Sequence, residues 1–114
     1  MAAPYDIVVN DASSKTLNFQ NAYGNNNTKA LSFPRAEILE ILSQQNCTGI
    51  RIYFGLNDAS KPKDITVVIV GVQDNGSGNF NQAVDMVAGS NKIKNSGCPC
   101  PPNCTTLPSD LLHT

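Results

Sequence analysis

Apolar and polar residues alternate with two different periods along this chain of 114 residues, and the changes of period mark out its elements. Between Ser32 and Gln45, Ile38, Leu39, Ile41 and Leu42 recur at helical spacing, which predicts an amphipathic helix with that stripe against a core. Ser32 stands where a capping hydroxyl is wanted, and Pro34 fits the first turn, where its missing amide is no loss. The period then shortens to two. Over Gly49–Leu56, Ile50, Ile52 and Phe54 fall on one face and Arg51 and Tyr53 on the other, the pattern of a half-buried strand. Ile65 to Val72 is β-branched nearly throughout and apolar on both faces, so it reads as an interior strand. The turn-rich segment Asn57 to Lys63 joins the two as an antiparallel hairpin.

Other segments carry weaker patterns. Tyr5 to Val9 is a short β-prone run, and Asp11 to Tyr23 reads as a helix capped by Asp11 or Ser13 and stopped by Gly24. Residues 24–29 and 73–81 are loops by composition, 82–88 is a further strand or a short helix, and 89–97 is a polar connection. The expected fold class is α+β: a single domain spanning 1–114, with an antiparallel sheet of three to five strands packed on one main helix at about 32–45. A Cys- and Pro-rich extended tail, 98–114, is expected to pack on that domain.

Leu, Ile, Val and Phe make up 28 of the 114 residues, enough to build a core without help. Eight basic and nine acidic residues are scattered singly, so no cationic stripe exists to displace counterions, and no nucleic acid is expected as partner. The longest apolar run, Ile65 to Val72, is too short to span a bilayer, so no membrane insertion is expected. Met1 to Asn10 lacks the basic start and apolar stretch of a secretory signal. By default the chain therefore reads as cytoplasmic, and as extracellular if its cysteines are bonded.

The least ordinary stretch is Cys98-Pro99-Cys100-Pro101-Pro102-Asn103-Cys104. Its prolines fix φ and push their predecessors into extended backbone, so no helix forms there. Cys98, Cys100, Cys104 and Cys47 are four potential zinc ligands, with His113 near in sequence. The close Cys98/Cys100 spacing, and prolines that offer no amide to support a thiolate, argue instead for a disulfide staple. Cys47, Cys98, Cys100 and Cys104 permit three complete pairings, of which the one joining Cys98 to Cys100 is strained. Reduced thiols that only pack are a further reading.

Little else offers chemistry. The loop from Asp74 to Asn79 has the oxygen-rich look of a calcium loop but lacks its closing bidentate Glu, and reads as a turn. His113, the only histidine, sits at the chain end, where it would make a mobile base. The glycines at 71, 76 and 78 do not open a helix, so no dinucleotide site is expected. No catalytic residue and no cofactor is predicted. Arg51 and Tyr53 read as a solvated or subunit-facing surface.

The two-faced strand has a consequence for assembly. Leaving Val68, Val70 and Val72 exposed would cost roughly 5 to 8 kcal/mol at about 25 cal/mol per Å² of apolar area, which rivals a domain's whole stability. Either the N-terminal third covers them, through Ile7, Val8, Val9, Leu17 and Phe19, or a second copy of the chain does. The self-association candidates are thus Val68, Val70 and Val72, with Arg51 and Tyr53.

Gly49-Ile50-Arg51-Ile52-Tyr53-Phe54-Gly55, the run Val67 to Val72, Cys100-Pro101-Pro102-Asn103-Cys104 and the closing Leu111-Leu112 together resemble a family of short uncharacterised bacterial proteins. Members carry a G-x-R-I-Y-x-G strand, a valine-rich strand and a C-terminal Cys-Pro-Pro-x-Cys. The resemblance covers roughly Ser32 to Leu112. It implies that Cys100 and Cys104 are the characteristic pair and that Cys98 is extra, and it implies no activity. The expected function is a non-enzymatic structural or interaction module that self-assembles into an oligomer or filament. Its rivals are a small metal-binding protein using the tail cysteines and an enzyme whose site is not visible in sequence.

Overall fold

The computed structural model describes residues 5–24, 27–74, 76, 80–102 and 111–112. Two helices and six strands follow in the order α1 (Val9–Tyr23), β1 (Ala30–Ser32), α2 (Arg35–Leu42), β2 (Gly49–Leu56), β3 (Ile65–Gln73), β4 (Val84–Met86), β5 (Ile93–Lys94) and β6 (Cys98–Cys100). All strand pairs are antiparallel, so the chain is an α+β protein.

The hairpin β2–β3 is the backbone of the fold, in register from Gly49↔Val72 to Leu56↔Ile65. Strand β3 is interior, as its two apolar faces predict. Its second edge pairs with β4 at residues 71–73 and with β5 at residues 69–70. A separate two-stranded ribbon joins β1 to β6, with Ala30 opposite Cys100. The ribbon holds the start of the Cys/Pro tail, and Cys100 is 4% exposed. Both prolines that follow Cys100 have cis peptide bonds.

Several expectations are corrected. Ser32 does not cap α2: it belongs to β1, Pro34 is the N-cap, and the helix ends at Leu42 rather than Gln45. Of the stripe Ile38, Leu39, Ile41 and Leu42, only Ile41 is fully buried, while Leu39 and Leu42 face solvent. Neighbouring helical positions point about 100° apart, so a single line of contact with the sheet can take one of each adjacent pair. Ile41 is the one in contact, against Gly71 of β3.

Helix α1 begins at Val9, before the expected caps Asp11 and Ser13, and its N-cap Val8 makes no side-chain capping bond. The β-prone run Tyr5 to Val9 is therefore not a strand here. Residues 82–88 resolve as β4 within a loop, and the supposed polar connection 89–97 contains β5.

The faces of the hairpin are covered otherwise than expected: α2 does lie on the face of Ile50, but it is seated at Gly71, opposite Ile50, and leaves the rest of that face open. Val70 and Val72 are buried at 2% and 1% exposure without any second chain and without α1. On that face the Phe80 ring closes over Gly49, where a β-carbon would stand 2.9 Å from Phe80 Cε1 and 3.7 Å from Val72 Cγ2. On the opposite face Ile50, Ile52 and Phe54, expected beneath the main helix, are all exposed, and Phe54 is 84% open.

Candidate functional site

Side chains on β2 and β3 that share the open face follow from the register: Ile52 lies opposite Ile69, Phe54 opposite Val67, and Leu56 opposite Ile65. Across from them stand Phe19 and Tyr23 of α1, Leu31 of β1 and Phe33, and the space between is a groove of about 810 Å³. Phe19 and Tyr23 are one helical turn apart and stack at 4.7 Å between centroids. Gln20, between them, is buried and donates from Nε2 to the Leu111 carbonyl at 2.9 Å. Lys15 and Lys29 also line the groove, their stems suited to lie along an apolar wall.

The outer edge of β2 carries no partner strand among the described residues. At the hairpin end the Asn57 amide donates to the Asp64 carbonyl. Counting back from that pair, the odd-numbered residues of β2 bond to β3, and the even-numbered ones turn their amides and carbonyls outward. Ile50, Ile52, Phe54 and Leu56 thus combine open backbone groups at the edge with apolar side chains on the open face.

On the covered face, Arg51 Nη1 donates to Asp85 Oδ1 at 2.6 Å and Nη2 to the Ala83 carbonyl at 3.2 Å, while the Tyr53 hydroxyl donates to Asp85 Oδ2. Register explains the meeting, since Val72 pairs with Gly49 on one side and with Asp85 on the other. The guanidinium, beside Tyr53 and Asp85, is held above its ordinary value. These three groups satisfy one another and tie β2 to β4 across β3.

The other candidates fall at separate places. Val68 is half-buried and Val70 and Val72 are core, so none offers a surface. Cys47, at the turn between α2 and β2, is a free thiol that donates to the Gly49 carbonyl at 3.2 Å. Cys98 on β6 is a free, exposed thiol. Cys100 is disulfide-bonded. Cys104 and His113 lie outside the described residues, as does most of the loop Asp74 to Asn79. Among the described residues no three His, Cys, Asp or Glu side chains converge as metal ligands, and no helix is long and apolar enough to cross a membrane.

Sequence reasoning placed Arg51 and Tyr53 on one face but missed Asp85, because a partner 34 residues away in a three-residue strand leaves no local signal. It also missed the groove, whose α1 wall depends on how the helix lands. No protein-family model, no curated protein and no solved structure matches the chain.

Proposed function

We propose that the chain is a non-enzymatic interaction module that self-associates, its copies meeting at the outer edge of β2 and the apolar groove beside it. The observation that carries this reading is Phe54, 84% exposed on a strand whose outer edge has no pairing among the described residues. A long, apolar, unprotected edge is the feature soluble proteins avoid unless something pairs with it. No lysine or proline blunts this one, since β2 reads Gly-Ile-Arg-Ile-Tyr-Phe-Gly-Leu.

Arg51, Tyr53 and Asp85 support a structural role on the other face, since each already has its partner within the cluster.

Light scattering from micromolar to millimolar concentration tests the reading. The wild-type chain is expected to grow in mass with concentration, and Phe54→Lys to remain a monomer with the same circular dichroism. A wild-type chain that stays monomeric throughout overturns it.

A further inference from the structure

Resting on that self-association, we infer that the occupant of the β2 edge is the N-terminal segment Tyr5–Val8 of a second copy, added as an extra strand, so that copies join head to tail. Sequence marks residues 5–9 as β-prone, yet within one chain the segment finds no sheet. Asp6, Ile7 and Val8 have no regular structure, and Val8 holds extended backbone at φ −82° and ψ 159°. Tyr5 is 82% exposed, Ile7 56% and Val8 64%. The helix that follows starts at the N-cap Val8 with no side-chain capping bond.

The segment and the site fit by alternation. Laid along β2, Tyr5 and Ile7 point to the face of Ile52 and Phe54, towards the groove, while Asp6 and Val8 fall on the side of Arg51 and Tyr53. Main-chain bonds would run to the outward amides and carbonyls of Ile52 and Phe54. Tyr5, Ile7 and Val8 with Ile52, Phe54 and Leu56 expose on the order of 700 Å². Backbone included, that reaches the low end of specific interfaces, about 1,000 Å².

The donor comes from another copy. Helix α1 lines the groove from Lys15 to Tyr23, so Val9 lies about 9 Å further along the axis at 1.5 Å per residue. The exposure of Tyr5, Ile7 and Val8 shows that they are not folded back onto their own groove. Donor and acceptor are different patches of one molecule, so the contact is heterologous, and the rotation between copies sets whether it closes into a ring or propagates as an open chain.

Two variants at exposed positions decide the matter by sedimentation velocity. Ile7→Glu keeps the acceptor and loses the donor, and Phe54→Glu keeps the donor and loses the acceptor. Each alone is expected to be a monomer, and an equimolar mixture to form dimers of twice the monomer mass and nothing larger. If the wild type associates and Ile7→Glu associates equally, the donor assignment fails while self-association stands. A mixture that stays monomeric overturns the head-to-tail arrangement, and a monomeric wild type overturns both readings. Unchanged melting of both variants shows that the fold is intact.

Discussion

Gly71→Ala probes how α2 is seated on the sheet. A β-carbon at residue 71 would stand 2.9 Å from Cys47 Sγ, 3.1 Å from Gln44 Nε2 and 3.3 Å from Ile41 Cγ2, where ordinary carbon contacts lie at about 3.5 to 4.0 Å. None of the three retreats easily. Ile41 is 0% exposed, Gln44 Oε1 accepts from the Lys92 amide, and the Cys47 thiol is bonded to Gly49. Two terms oppose each other. Replacing a strand glycine by alanine stabilises by about 0.5 to 1 kcal/mol through chain entropy, and overpacking a filled site costs about 1 to 3 kcal/mol. The second is larger, and a net loss of about 1 to 2 kcal/mol is expected. With a urea m-value of about 1 to 3 kcal/mol/M, the midpoint should fall by roughly 0.5 to 1.5 M. Cys47→Ala removes the nearest atom, so in that background the loss should shrink by about 1 kcal/mol. A Gly71→Ala midpoint at or above wild type, or an equal loss in both backgrounds, would refute the seating of α2 on Gly71.

Two further outcomes follow from the same structure. Lys94 on β5 donates to Glu40 of α2 at 2.6 Å and lies 3.6 Å from Glu37; its hydrogen bond to Glu40 raises the Lys94 pKa above 10.5 and lowers that of Glu40 below 4.5. The Glu40 contribution is present above its ordinary value and lost as pH falls through the folded one, whereas the Lys94 contribution is present below 10.5 and lost as pH rises past the folded value. Melting of wild type and Lys94→Met should differ most near neutrality and converge in acid, and a gap as wide at pH about 3 as at 7 refutes it. Thiol labelling without reductant should modify Cys98 first, Cys47 with delay and Cys100 only after reduction, read by peptide mass; equal rates at Cys98 and Cys47 contradict their difference in exposure.

Legibility in the sequence followed the range of the interactions. The hairpin β2–β3 was readable because eight or nine residues of alternation, or of continuous β-branching, are a local signal that register then preserves. Strands β1, β5 and β6 have two or three residues each, too few for any period, and the pairing of Ala30 with Cys100 spans 70 residues. The apolar faces of the hairpin were visible, but which one is covered was not. That depends on Phe80 reaching Gly49 from the loop after β3, and on Ile41 of α2 seating against Gly71.

The lengths of the elements explain why the open patch lies where it does. At 1.5 Å per residue the eight residues of α2 extend about 12 Å, whereas the eight residues of β2 extend about 27 Å. A helix seated over Gly71 therefore covers less than half of the strand, and Gly71 lies opposite Ile50, near the start of β2. The helix cannot lengthen in either direction. Pro34 forms its N-cap, and the chain turns away after Leu42 to place Asn46 at φ 68° before β2 begins. Helix α1, with 15 residues, has the length to cover the remainder, yet it buries only Gln20 and stands off across the groove. The uncovered remainder is the hairpin end, Ile52 to Leu56 with Ile65 and Val67. A strand of four residues reaches about 13 Å, the order of the length that α2 leaves open, which is why a short extended segment fits this surface better than another helix.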